Sequence, residues 1–112
     1  MAAAAYKILT LSVVAAAALT RNRAVTGTGA IPAAGGRCLG FTDTDAVVGQ
    51  RVSVGALGTV VAEAGAAVAV DALLELDAQG RVIPKNTGVA VGRALGAATA
   101  AGQQIEIMPI PN

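Results

Sequence analysis

Gly36-Arg37-Cys38-Leu39-Gly40, followed by Gly49-Gln50-Arg51-Val52-Ser53-Val54, returns later in the chain as Gly92-Arg93-Ala94-Leu95-Gly96, followed by Gly102-Gln103-Gln104-Ile105-Glu106-Ile107. Each copy comes after an Ile-Pro pair, Ile31-Pro32 and Ile83-Pro84, and upstream Ala16-Ala17-Ala18-Leu19 rhymes with Ala66-Ala67-Val68. The pattern predicts an internal two-fold repeat with halves over residues 14–57 and 58–108. What repeats is glycine and alternating aliphatic residues, the material of a backbone framework. No repeated residue is a suitable nucleophile, base or metal ligand, so the duplicated unit reads as a scaffold.

Outward from the repeat, the punctuation is that of short strands. Glycine occurs 14 times in 112 residues and keeps apolar runs short. Residues 37–41, 51–54, 58–62, 73–76, 81–83, 89–94 and 104–108 read as strands, several with period-two alternation. Asp77-Ala78-Gln79-Gly80 reads as a hairpin loop with Gly80 left-handed, and Gly49-Gln50 and Gly102-Gln103 as turns. Residues 15–19, 63–69 and 97–101 are alanine-rich, suited either to a helical turn or to a tight connection, and none is long enough to nucleate a helix. Residues 26–36 form the best surface-loop candidate. The fold class expected is mainly β, a compact small barrel or sandwich in one domain over residues 14–112, preceded by an extended N-terminal arm over residues 1–13.

Composition limits what such a domain can do. Apolar residues make up 54% of the chain, yet there is one Phe, one Tyr and no Trp, so the core must be built from Val, Leu, Ile and Ala. Small side chains bury less area per residue, which favours stabilisation by neighbouring subunits. Eight basic residues balance seven acidic ones, and the charged fraction is 13%. Nucleic acid is not an expected partner, because counterion release needs a clustered basic face and single-strand binding needs stacking aromatics. A neutral surface instead suits a protein that works against other proteins.

Candidate chemistry is thin. The chain has no His, removing the commonest metal ligand and general base together, and the single Cys38 reads as a small core residue. Gly27-Thr28-Gly29 opens like a dinucleotide fingerprint, but Pro32 stands at the third glycine position and no long helix follows. Asp43-Thr44-Asp45 reads as a solvated turn rather than a cation site, since no third ligand lies at a recognisable spacing. Ser12 and Ser53 lie in no nucleophile elbow. No catalytic residue, cofactor, metal or small-molecule substrate is therefore expected, and the chain does not read as an enzyme.

The N-terminus allows two readings. Residues 8–19 are an uncharged run behind Lys7 that resembles the apolar region of a signal peptide, too short to span a bilayer. Thr10 and Ser12 interrupt it, and the better reading is an uncleaved extended segment with Tyr6, Ile8, Thr10 and Ser12 on one side and Lys7, Leu9, Leu11 and Val13 on the other. Such a segment is expected to be ordered mainly by contact with another chain. Tyr6, Lys7, Ile8 and Leu9 of the arm, with Arg21 and Arg23 beyond it, are the candidate contacts to a partner protein or sister subunit.

The order of these features carries a resemblance. The apolar arm, Ala16-Ala17-Ala18-Leu19-Thr20, Leu39-Gly40-Phe41-Thr42, Gly49-Gln50-Arg51-Val52-Ser53-Val54, Gly58-Thr59-Val60-Val61-Ala62, Asp77-Ala78-Gln79-Gly80-Arg81 and Val91-Gly92-Arg93-Ala94-Leu95 together resemble the small capsid cement or decoration proteins of tailed bacteriophages. The resemblance spans residues 9–108. It departs from the family at Thr20-Arg21-Asn22-Arg23, more basic than expected, and at Asp71, where glycine often follows. It implies a trimeric β domain made in the host cytoplasm and carried on the outer surface of the virion head. There it would clamp neighbouring major capsid protein subunits, with no membrane partner. The alternative from another class is a secreted or periplasmic β binding or adhesion module with a cleaved leader, which the missing aromatic platforms disfavour.

Overall fold

A computed structural model describes residues 4–112, so the first three residues of the expected arm lie outside the described residues. The strands are β1 (Lys7–Val14), β2 (Ala24–Val25), β3 (Gly40–Thr42), β4 (Arg51–Gly58), β5 (Val60–Glu63), β6 (Leu73–Leu76), β7 (Val82–Pro84), β8 (Gly92–Ala94) and β9 (Gln104–Pro109). They form two antiparallel sheets, ordered β1-β4-β3-β2 and β5-β9-β8-β6-β7, in a sandwich-like all-β arrangement. Among the described residues there is no helix. The alanine-rich stretches are tight connections, pinned by the isolated bridges Leu19 to Ala46 and Val68 to Ala98.

The segment expected as an arm is extended, but it belongs to the fold. Lys7 to Val14 pair with β4 down to Arg51, with irregular register around Ile8 and Leu9, and form the outer strand of the first sheet. Val13 and Ala15 are buried, so order over this stretch comes from the chain's own ladder and core rather than from another chain. The leader reading fails for the same reason: cleavage near Leu19 would remove β1 and part of a core.

Each sheet closes over its own aliphatic cluster. Val13, Ala15, Leu19, Val25, Ala46, Val52 and Val54 make the first, and Ala62, Ala64, Val68, Leu74, Ala98, Ile105 and Ile107 lie within the second. The hydrogen bonds around the clusters run in parallel. Ala15 N–H donates to Gln50 O and Gly49 N–H to Ala15 O, each at 2.8 Å, and Ala64 N–H donates to Gln103 O and Gly102 N–H to Ala64 O at the same distance. Asn22 N–H reaches Thr42 O as Asp71 N–H reaches Ala94 O, and Asn22 and Asp71 are the two non-glycine residues with positive φ among those described. The position answering Gly40 in this strand order is Gly92, since Val25 faces Gly40 as Leu74 faces Gly92. Gly96, which the sequence comparison sets opposite Gly40, lies beyond β8 instead. Strand β7 is the addition that makes the second sheet five-stranded.

Two devices join the sheets. Phe41, on β3 of the first sheet, belongs with Ala24 and Cys38 to the core cluster of the second. The Arg23 guanidinium holds both oxygens of Glu63 at 3.2 Å, and Arg81 pairs with Asp77 at 2.9 Å while lying 3.8 Å from Glu63. Backbone bonds from Glu63 to Asn22 O and from Ala24 to Gly80 O close the same seam.

The expected hairpin is present: Asp77 Oδ1 accepts the N–H groups of Gln79 and Arg81, and Gly80 takes φ of 77°. Strands expected at 37–41 and 89–94 are shorter, Gly40–Thr42 and Gly92–Ala94, because Cys38 N–H leaves the ladder for the Asn112 side chain and Val89 N–H for Gly35 O.

Glu75, buried on β6, accepts hydrogen bonds from Asn86 N–H and Gly88 N–H and so ties down the loop after β7. These backbone donors, with Lys85 nearby, hold its carboxyl below the usual range against the opposing effect of burial. A lowered carboxyl pKa contributes stability that is full above the unfolded value, about 4.3, and is lost as pH falls through the folded value. Glu75→Gln is thus expected to unfold more easily than the parent at pH 7 and to show a flatter stability profile below about pH 4. Thermal melts across pH 2–7 check this, and parallel acid curves for parent and variant would contradict it.

Candidate interaction surface

The candidate residues fall into three surroundings. Tyr6, just before β1, and Ile8, near its start, are 72% and 82% exposed. Tyr6 is anchored through its backbone alone, donating to the Thr59 carbonyl and hydroxyl oxygens and accepting from Thr59 N–H. Its ring is left to solvent. Leu9 turns to the other face of β1, where Leu9, Leu11, Leu39, Leu57 and Pro111 line an apolar groove of about 280 Å³.

Lys7 and Arg21 come together in a polar cleft of about 330 Å³ with Asn22, Asp43 and Gln104. Lys7 pairs there with Asp43, and Asp45 accepts the Arg21 N–H at 2.8 Å. The Asp43-Thr44-Asp45 stretch is therefore a turn that spends its carboxylates on Lys7 and the Arg21 backbone. Among the described residues no cluster of His, Cys, Asp or Glu is arranged to hold a metal ion. Arg23 is separate from both groups, with its guanidinium committed to Glu63.

Cys38 is buried, and burial pushes its thiol up to about 11. Little thiolate forms near neutrality, so it packs as a small apolar residue. The C-terminal segment crosses over it: Ile110 N–H donates to Val91 O, and Asn112 Oδ1 accepts from Cys38 N–H at 2.9 Å. The sequence showed neither the tail's bond to Cys38 nor the Asp43 partner of Lys7, because both contacts join positions dozens of residues apart.

What the surface offers is an exposed strand edge, a neutral apolar groove beside it, and ion pairs already satisfied within the chain. That is equipment for protein contact rather than for bond chemistry. Comparison with known proteins agrees. Residues 3–109 match the family model of phage cement proteins, and the chain belongs to that family. It is accordingly a structural protein of the phage capsid, not an enzyme, and a cement protein's partners are capsid proteins. Among solved structures, the crystal structure of the head fiber gp8.5 N base in bacteriophage phi29 is similar, with a TM-score of 0.76 and 17% identity over 91% of this chain and 93% of that one. At that identity the likeness speaks for the fold. No curated protein matches the sequence significantly.

Proposed function

We propose that this chain decorates the outer surface of the phage head as a homotrimer, clamping neighbouring major capsid protein subunits through β1. The single observation that carries this is the outer strand of the first sheet: eight residues long, with Lys7 its only charge and that charge paired with Asp43. Monomeric β proteins protect such edges with outward charges, prolines or short strands, and this edge has only its irregular register around Ile8. It is suited to accept a strand or an apolar side chain of a neighbour. Tyr6 and Ile8 supply the exposed face, Leu9 the groove side, and Lys7 with Arg21 the polar cleft at its start. Arg23 contributes by holding the seam behind them.

The internal repeat belongs to the same proposal. The two sheets are copies of one β unit, the second over residues 58–108 and the first over residues 14–57 extended back through β1, which answers β5. The shared strand order and matched hydrogen bonds support it.

Tyr6→Ser combined with Ile8→Ser is expected to leave the melting temperature within a few degrees, since both side chains face solvent, and to lower loading onto heads that lack the protein by on the order of ten-fold or more. Loading is expected to depend weakly on salt. Sedimentation of heads after mixing reads occupancy, and light scattering coupled to size exclusion reads the oligomer. Full loading of the double variant would remove β1 from the contact, and a monomer at micromolar concentration would remove the trimer in solution.

A further inference from the structure

The two sheets carry the same turn with different surfaces. In the first, Val47-Val48-Gly49-Gln50 leads into β4; in the second, Thr99-Ala100-Ala101-Gly102-Gln103 leads into β9 and is one residue longer. Both turns are closed by a glutamine side chain: Gln50 Oε1 accepts Val47 N–H at 3.0 Å, and Gln103 Oε1 accepts Thr99 N–H at 2.7 Å. Both place a glycine at positive φ, 89° at Gly49 and 91° at Gly102. Both are tied to the residue just after β1 or β5 by the Ala15 and Ala64 bonds described above.

The backbone thus needs only glutamine, glycine and the alanine anchor. Threonine and alanine complete it in the second sheet. Yet the first sheet puts Val47 and Val48 there, 63% and 67% exposed. Two aliphatic side chains therefore stand in solvent at one tip where the fold uses Thr and Ala at the other. They fill no core, and Val47 shares a shallow depression with the polar Asp45 and Gln50.

We infer that the Val47 and Val48 tip is a second capsid anchor, seated in an apolar recess of the shell protein and separate from the start of β1. The inference rests on the cement reading and adds a site to it. Size selects the occupant. Two exposed valines present on the order of 200 Å² of apolar surface, well short of the roughly 800 Å² per partner that a stable pairwise interface buries. A second copy held by this tip alone would dissociate. A shell that presents the recess repeatedly, to a protein already held at another point, turns the same small contact into a strong one through effective concentration. The tip carries no cation of its own, and Arg51 is engaged with Ser12 at 2.9 Å, so an anionic surface has little to attract it.

The test transplants the second turn's chemistry onto the first. Val47→Thr combined with Val48→Ala is expected to keep the melting temperature and oligomeric state of the parent, and to weaken loading onto heads that lack the protein by about ten-fold or more. Thr99→Val combined with Ala101→Val in that variant is expected not to restore loading. If the parent loads and Val47→Thr/Val48→Ala loads equally well, the inference falls while the cement reading stands. If the variant changes oligomeric state instead, the tip packs against sister subunits and the inference is again overturned. Failure of the parent itself to load would overturn the cement reading and the inference together.

Discussion

Phe41→Ala is expected to cost about 3–5 kcal/mol, the range for removing a fully buried aromatic side chain, out of a total that for a domain of this size is roughly 5–15 kcal/mol. The chain has one phenylalanine, and it is 1% exposed. Its position explains why the loss should be large. Phe41 leaves the first sheet and fills the core cluster of the second, so its ring is the largest buried side chain joining two layers whose own cores are mainly valine, leucine, isoleucine and alanine. Small aliphatic neighbours held by two separate ladders have little freedom to collapse into the cavity. Chemical denaturation should show the midpoint falling sharply, and a melting temperature lower by roughly 10–25 °C would match. Phe41→Leu should recover a large share of the loss. A shift of only a degree or two for Phe41→Ala would mean that the polar seam of Arg23, Glu63 and Arg81, not the ring, holds the layers together.

Gly58→Ala is the second large effect, and it acts on β1, the strand proposed to make the contact. Gly58 ends β4 at φ of 91°, and a Cβ there would lie 2.2 Å from Tyr6 O and 2.7 Å from Ile8 N. Both atoms are backbone and cannot step aside as a side chain would. The left-handed conformation alone costs about 1–3 kcal/mol for a residue with a Cβ, and the overlap adds to it. The cheapest relief is to release the start of β1, since Val13 and Ala15 hold its far end in the core. Hydrogen exchange is therefore expected to lose protection at Tyr6 and across the start of β1 while Val52, Val54 and Ile107 stay protected. Head loading should fall with it. Uniform loss of protection through both sheets would contradict a local release.

Much of the fold was legible because glycine and aliphatic alternation report directly on short strands. The Val-x-Val and Ile-x-Ile runs of β4 and β9, the Asp77 to Gly80 hairpin and Cys38 as a core residue all came from local pattern. What was not legible depended on distance along the chain. β2 is two residues, Ala24–Val25, too short to show a period, and it exists because Phe41 and Gly40 pair with it. The arm read as waiting for another chain because nothing in residues 7–14 announces that β4, dozens of positions away, supplies the partner.

The candidate site was legible in outline and blurred in detail. Exposure of Tyr6 and Ile8 followed from an alternating segment without a visible core role. Arg23 could not be told from Arg21 by sequence, because the difference is Glu63, forty residues on. Val47 and Val48 drew no reading from the sequence, which marked only the Gly49-Gln50 turn after them. Only the comparison of matched positions in the two sheets marks them, and that comparison needs the register that the strand order provides.

The measurement that bears most directly on the cement role is the temperature at which packaged DNA escapes from heads, followed with increasing amounts of purified protein added to heads made without it. The escape temperature is expected to rise with occupancy and level off when the protein reaches a fixed ratio to the shell subunit. Heads that bind the protein at that ratio and release their DNA at an unchanged temperature, or heads that never take it up, would contradict the account.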